Sequence, residues 1–258
     1  DAARFFLAQS WFELGQFNRA RSTLAKVKDR SIWALPRLLL LNDIDIRAGN
    51  LDIAIERFNS YVTGRPDNGY LLKELGDLYR RDAQYANARD SYLQAIKTGF
   101  DSADLYRNLA ISHERLDEDE LAEIYFKGAL ARDPDDPFTL NYLGYWWADE
   151  GRNLKEAMEL INKAVKLYPE NGYYADSLGW VYFKIGNKKK AVTWLERAVQ
   201  LAPNDAVIHD HLGDVYWHLG RLFEARYKWQ FAYQMYTDKM KRREVSEKIK
   251  FGLKKQAN

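Results

Sequence analysis

The chain has 258 residues, 47% of them apolar, 14% aromatic and 29% charged, with a net charge of only +2. Those proportions exclude a disordered chain and give no electrostatic reason to expect a nucleic-acid partner. The absence of cysteine excludes disulfides, thiol catalysis and thiolate metal sites, and leaves the compartment open.

From the first residues the pattern is helical, with neither methionine nor signal peptide ahead of it, so the sequence reads as a processed or trimmed piece. Phe5, Phe6 and Trp11 lie near an uncapped end, which suggests further sequence upstream. No run approaches the roughly 18 apolar residues that span a bilayer. Leu38 to Leu41, bounded by Arg37 and Asn42, reads as a buried helical turn.

Alanine stands at 20, 54, 88, 122, 157, 191 and 225, a period of 34 residues with one step of 35. Self-similarity at this period marks stacked helix–turn–helix units. The units run 1–34, 35–68, 69–102, 103–136, 137–171, 172–205 and 206–239, and the extra residue falls in the turn Gly151 to Leu154. Small residues also recur earlier in most units, at Ala8, Gly76, Ala110, Gly144, Gly179 and Gly213, where two helices must approach closely. Large residues fill the gaps between them, including Phe58, Tyr92, Phe126, Leu195 and Trp229. Glycines at 15, 49, 151, 186 and 220 end first helices, and proline with Asp or Asn within the next two residues separates units at 66, 134, 169 and 203.

Units two and four depart from the pattern. Asn42 replaces a small residue, while Asp45 and His113 replace an aromatic; His113 reads as a satisfied buried residue. Unit three has Phe100 where proline is expected, and unit one lacks that proline. Beyond the repeats, 240–258 reads as a basic capping helix. Met240, Val245, Ile249 and Leu253 form its apolar stripe, and Lys241, Arg242, Arg243, Lys248, Lys250, Lys254 and Lys255 surround it.

Period, punctuation and small-residue positions together resemble the tetratricopeptide repeat (TPR) family over residues 1–239. The resemblance implies an all-α, right-handed superhelical solenoid of seven helix–turn–helix repeats with a C-terminal cap. It also implies that first helices line a concave groove that binds a peptide segment or another protein. Carried onto this sequence, the groove is basic in the middle, with Arg80, Arg81, Arg107 and Asn108. Towards the end it is aromatic and acid-edged, with Phe138, Asn141, Tyr142, Tyr145, Tyr173, Asp176, Trp180, Phe183, Asp210, His211, Asp214 and Trp217. Acidic side chains outnumber basic ones along this lining, which opposes a phosphate backbone and suits an extended peptide. On this reading Trp180 and Trp217 can both be cut to alanine without loss of helix content or melting temperature.

The clamp by which chaperone-binding TPR domains hold a terminal carboxylate is incomplete. Lys73 and Asn108 fit it, but Asp77, Phe138 and Tyr142 replace the required polar or basic residues. The runs Asp176 to Trp180 and Asp210 to Trp217 resemble bacterial, particularly alphaproteobacterial, envelope TPR proteins. Some of those are lipoprotein adaptors for processing proteases, which implies a periplasmic or outer-membrane adaptor; a cytoplasmic location is the alternative.

Nothing in the sequence has catalytic, cofactor or metal-site spacing. His211, Asp214 and His218 share one helical face but lack a further ligand, so a metal site is the weaker reading beside polar groove lining. Asp117 to Glu120 open a helix, and Lys188 to Lys190 read as a solvated turn. An RNA-binding helical repeat is the remaining alternative, and self-association through the first unit is compatible with the pattern.

Overall fold

The structure, a computed structural model, describes residues 1–253. Those residues form fifteen α-helices and no strand. In chain order the pairs are α1 Ala2–Glu13 with α2 Phe17–Leu24, α3 Ala34–Arg47 with α4 Leu51–Thr63, and α5 Gly69–Arg81 with α6 Tyr85–Lys97. There follow α7 Ala103–Glu114 with α8 Asp119–Arg132, α9 Pro137–Asp149 with α10 Leu154–Leu167, α11 Gly172–Lys184 with α12 Lys188–Leu201, and α13 Ala206–His218 with α14 Leu222–Met235. A last helix, α15 Lys239–Phe251, has no second helix of its own and packs on the end of the last pair. The chain divides into two compact units, Asp1–Ala129 and Leu130–Asn258, each described by itself below.

In the first unit the alanine ruler is the helix contact itself: Ala20, Ala54, Ala88 and Ala122 are completely buried. Facing α6, Gly76 lies so close that a Cβ there would sit 2.5 Å from the Tyr92 ring. That spacing lets large residues of the second helices, Phe58 and Tyr92, fill the interior, where both are completely buried.

Unit two's departures from the repeat pattern form one polar assembly. Asp45 is wholly buried and binds two guanidinium groups, Arg21 from α2 and Arg57 from α4, the latter at 2.5 Å. Arg57 also donates to the side-chain oxygen of buried Asn42 at 3.3 Å. The two unusual residues, Asn42 and Asp45, are thus held by arginines of the neighbouring helices where other pairs pack hydrocarbon. His113 is likewise buried, with Nδ1 2.5 Å from Glu118 and its ring stacked on Tyr125 at 5.1 Å. Its Nε2 has no hydrogen-bond partner, so the residue is only half satisfied.

The second unit repeats the plan with Ala157, Ala191 and Ala225 buried between helices and Ile161, Leu195 and Trp229 filling the gaps. A Cβ at Gly213 would lie 2.5 Å from Trp229, as close as the Gly76 contact in the first unit. Asp136, Asn171, Asp205 and Asp238 each cap a following helix by accepting from its first free N–H groups. The extra residue is absorbed in the turn before α10, where Gly151 and Asn153 both take positive φ, 72° and 47°.

Three sequence expectations change here. Lys188 to Lys190 are not a turn but the first turn of α12, capped by Asn187. In α15, Val245 is buried with Ile249 and Leu253 packed beside it, but Met240 points away and is 66% exposed. Helical spacing put Met240 on the stripe, yet it lies two residues past the N-cap Asp238, where the helix has not reached the core. Lys248 is not on the solvated side either; its ammonium turns inward. Lys254 and Lys255 lie outside the described residues.

Candidate functional site

On the first-helix face of the first unit, α5 and α7 build a network around Asp77. Asn108 donates to Asp77 Oδ1 at 2.8 Å, and the Tyr92 hydroxyl donates to the same oxygen at 2.6 Å. Lys73 Nζ lies 3.0 Å from Asp77, 2.8 Å from Asp104 and 3.3 Å from Glu74. Burial opposes the Lys73 charge, but these carboxylates outweigh it and drive its pKa far up. Its cation is therefore already spent inside the protein. This is a second reason, beyond the missing partners, that the terminal-carboxylate clamp does not assemble.

The predicted basic middle is correspondingly weaker than its residue list. Asn108 is buried in the Asp77 network. Arg80 is half-buried against Tyr92 and its Nε lacks a partner, while Arg107 is half-buried near Asp104. Arg81 is exposed and faces Asp43 across a cleft of about 190 Å³ between α3 and α5. Burial raises the pKa of Asp43 and of Glu74 in that cleft. Tyr70, which also lines it, stands at the same repeat position as Phe138 and Tyr173 but was left out of the predicted groove, although that shared position could have revealed it.

The second unit holds a deeper constellation. His211 Nδ1 lies 3.0 Å from both carboxylate oxygens of Asp176, and the imidazole stacks on the Trp180 ring at 4.1 Å. Trp180 Nε1 donates to Asp149 at 3.0 Å, and the Lys184 ammonium sits 5.2 Å above the same indole. Burial disfavours a charged His211, but Asp176, Asp210 and Asp214 outweigh it and hold the pKa above the ordinary histidine value. Tyr145 stands 6.1 Å from His211; burial first, then Asp149, Asp176 and Asp210, pushes its hydroxyl pKa well up.

At α13 the acids are consumed internally. Lys248 from α15 donates to Asp210 at 2.8 Å and to Asp214 at 2.9 Å, and Trp229 Nε1 donates to Asp214 at 2.8 Å. Trp217 lies under the end of α15, because a Cβ on Gly252 would come within 2.0 Å of its ring. Burial, partly offset by Lys248, raises the Asp214 pKa.

The predicted aromatic site thus separates into two layers. Asp176, Trp180, Asp210, His211 and Asp214 are buried and form a bonded floor. Phe138 and Tyr173 are 48% and 58% exposed; Tyr142, Tyr145, Asn141 and Phe183 are half-buried. Phe138 and Tyr142 stack at 6.0 Å, and Phe183 packs on Trp180 at 5.3 Å. The expectation that Trp180 and Trp217 are dispensable for stability is overturned. Trp180 is only 8% exposed, and Trp217 packs against both Trp229 and the end of α15. Sequence spacing assigned these rings to the right helix but could not show how far each was covered. Among the described residues no group of three or more His, Asp or Glu side chains has the arrangement of a metal site.

Comparison with known proteins agrees with this architecture. A TPR repeat model matches residues 179–220, and a tetratricopeptide repeat model matches 43–99 and 73–137, together more than half of the chain. A TPR repeat-containing protein of Pseudomonas aeruginosa is 32% identical over 193 residues, which is 72% of this chain and 32% of that protein. The chain therefore spans about a third of that relative's length. The photosystem I assembly protein Ycf3 of Prochlorococcus marinus is 26% identical over 136 residues, covering 46% of this chain and 78% of that protein. The crystal structure of a tetratricopeptide repeat protein from Parabacteroides merdae matches with a TM-score of 0.75 at 16% identity, covering 96% of this chain and 97% of that one. Repeat register, buried small-residue contacts and family models converge, and the chain belongs to the tetratricopeptide repeat proteins, a family of protein-interaction scaffolds.

Proposed function

We propose that the protein is a non-enzymatic adaptor whose second unit receives an extended segment of a partner protein on its first-helix face. The observation that carries this is the layering of that face. Phe138, Tyr142, Tyr145 and Tyr173 offer rings above a floor whose polar groups are already bonded. Such rings supply contact area at low rotamer cost, while the bonded floor leaves no strong internal demand for a metal or a small charged ligand. Of the acids near Tyr145 only Asp149 is exposed, and it favours a segment that brings cationic or amide donors to that edge. The assembly role in the name of the Ycf3 relative is in keeping with a scaffold.

The finer part of the proposal is that the partner belongs to the bacterial envelope, as a protease or an assembly complex. Its support is the likeness of Asp176 to Trp180 and Asp210 to Trp217 to envelope TPR proteins, together with the bacterial relative.

A photo-crosslinking residue at 173 in the native host, with fractionation of the captured complex, tests both parts. Capture from 173 but not from Phe223, which is exposed on α14, is the expected result. Equal capture from both positions, or from 223 alone, would move the interface off this face. Recovery of the complex from cytoplasm would sink the envelope assignment alone.

A further inference from the structure

A cavity of about 410 Å³ lies between α3 and α4 in the first unit, away from the surface described above. Its walls bring together Arg37, Arg57 and Arg65 over an apolar floor of Leu38 and Leu41, with Tyr61 at one side. Arg57 reaches past the cavity to buried Asn42, which stands where most other pairs have glycine or alanine.

The charges around the cavity do not balance. A single buried carboxylate, Asp45, answers both Arg21 and Arg57. Arg37 pairs with exposed Asp29 and donates to the Val27 carbonyl at 2.7 Å, yet its buried Nε has no acceptor. Arg65 has no carboxylate partner; it lies 3.9 Å over the Tyr61 ring and donates only to that residue's backbone oxygen at 3.2 Å. Of the three guanidinium groups lining the cavity, Arg57 is held by Asp45, Arg37 is paired with Asp29, which also lines it, and Arg65 has no carboxylate. Guanidinium forks match the planar or tetrahedral oxygens of carboxylates and phosphates, and a buried donor without an acceptor is costly to leave unmet.

We infer that this cavity is a binding site for an oxyanion, phosphate or carboxylate, carried on a small apolar group. The oxygens meet Arg37 and Arg65, and the apolar group lies on Leu38 and Leu41 beside Tyr61. Arg57, held by Asp45 and Asn42, supplies field rather than a moving contact. The site is independent of the adaptor reading, since it uses none of the same residues.

Calorimetric titration of the whole chain at low salt with phenyl phosphate, benzoate and inorganic phosphate tests it. Saturable binding of phenyl phosphate or benzoate is expected, tighter than that of inorganic phosphate. Arg65→Gln should weaken it about tenfold, the scale of one charge-assisted hydrogen bond. Arg37→Gln should do the same, and Arg81→Gln, on a different surface, should leave it unchanged. The two organic probes separate phosphate from carboxylate recognition. Absence of saturable binding, titration of Arg65→Gln like the parent, or equal weakening by Arg81→Gln would each overturn the site. Because Arg65 is exposed, unchanged melting of Arg65→Gln shows that any loss is not unfolding.

Discussion

The rings of Trp180 and His211, contributed by α11 and α13, lie face to face at 4.1 Å and within 19° of parallel. The contact ties two repeats together through a side chain that the repeat pattern leaves variable. Trp180 is anchored a second time by its bond to Asp149 on α9, so a single residue links three first helices of the second unit.

Trp180→Ala is therefore expected to destabilise the second unit by about 3 kcal/mol, the low end for removing a buried large aromatic. Urea unfolding followed by far-ultraviolet circular dichroism checks it. A loss below about 1 kcal/mol would mean the site collapses onto the gap or that the ring is less covered than its 8% exposure indicates.

His211 makes this region pH-dependent in a definite direction. Its pKa in the folded protein is raised above the ordinary 6.5 by the surrounding carboxylates, despite burial. The folded state thus binds the proton more tightly than the unfolded chain. That contribution is complete below about pH 6.5 and is lost as pH rises through the raised value. His209, whose pKa burial depresses, acts oppositely and is lost as pH falls. The measurement is consequently a difference: the stability advantage of the parent over His211→Gln should shrink between about pH 6 and pH 8. A constant advantage across that range would show that Asp176 holds a neutral ring.

Lys248 is the cation of the pair of α13 carboxylates. Lys248→Met leaves Asp210 and Asp214 buried together without it, and we expect a loss of about 3 kcal/mol at neutral pH. Acid should recover part of the deficit, because protonation of either carboxyl removes the uncompensated charge. Melting temperatures of the variant at pH 7 and pH 5 check this. A deficit that grows on acidification would contradict the ion-pair account.

How much of this was legible beforehand depends on the length scale of the signal. Ala20 through Ala225, Gly76 and Gly213 are spaced by the repeat, and each marks a helix contact that holds large residues of the facing helix at a fixed distance. Asp136, Asn171 and Asp205 are local caps, readable from a few neighbouring residues. By contrast, Asp45 looked like a missing aromatic until Arg21 and Arg57 were seen to converge on it from two other helices. Lys248 looked solvated because its spacing along α15 could not reveal two acids waiting on α13. Met240 looked buried because helical periodicity does not say where the helix meets its core.

The sequence by itself determined the helices, their pairing and the first-helix face, because these follow from a period of 34 residues and from contacts between neighbours in the chain. Only the tertiary structure decided which side chains on that face are available. Trp180, His211, Asp210 and Asp214 spend their bonding capacity on residues 15 to 38 positions away, whereas the rings of Phe138 and Tyr173 stay about half exposed. Availability is the remainder left after every long-range partner has been found. No local pattern records that remainder.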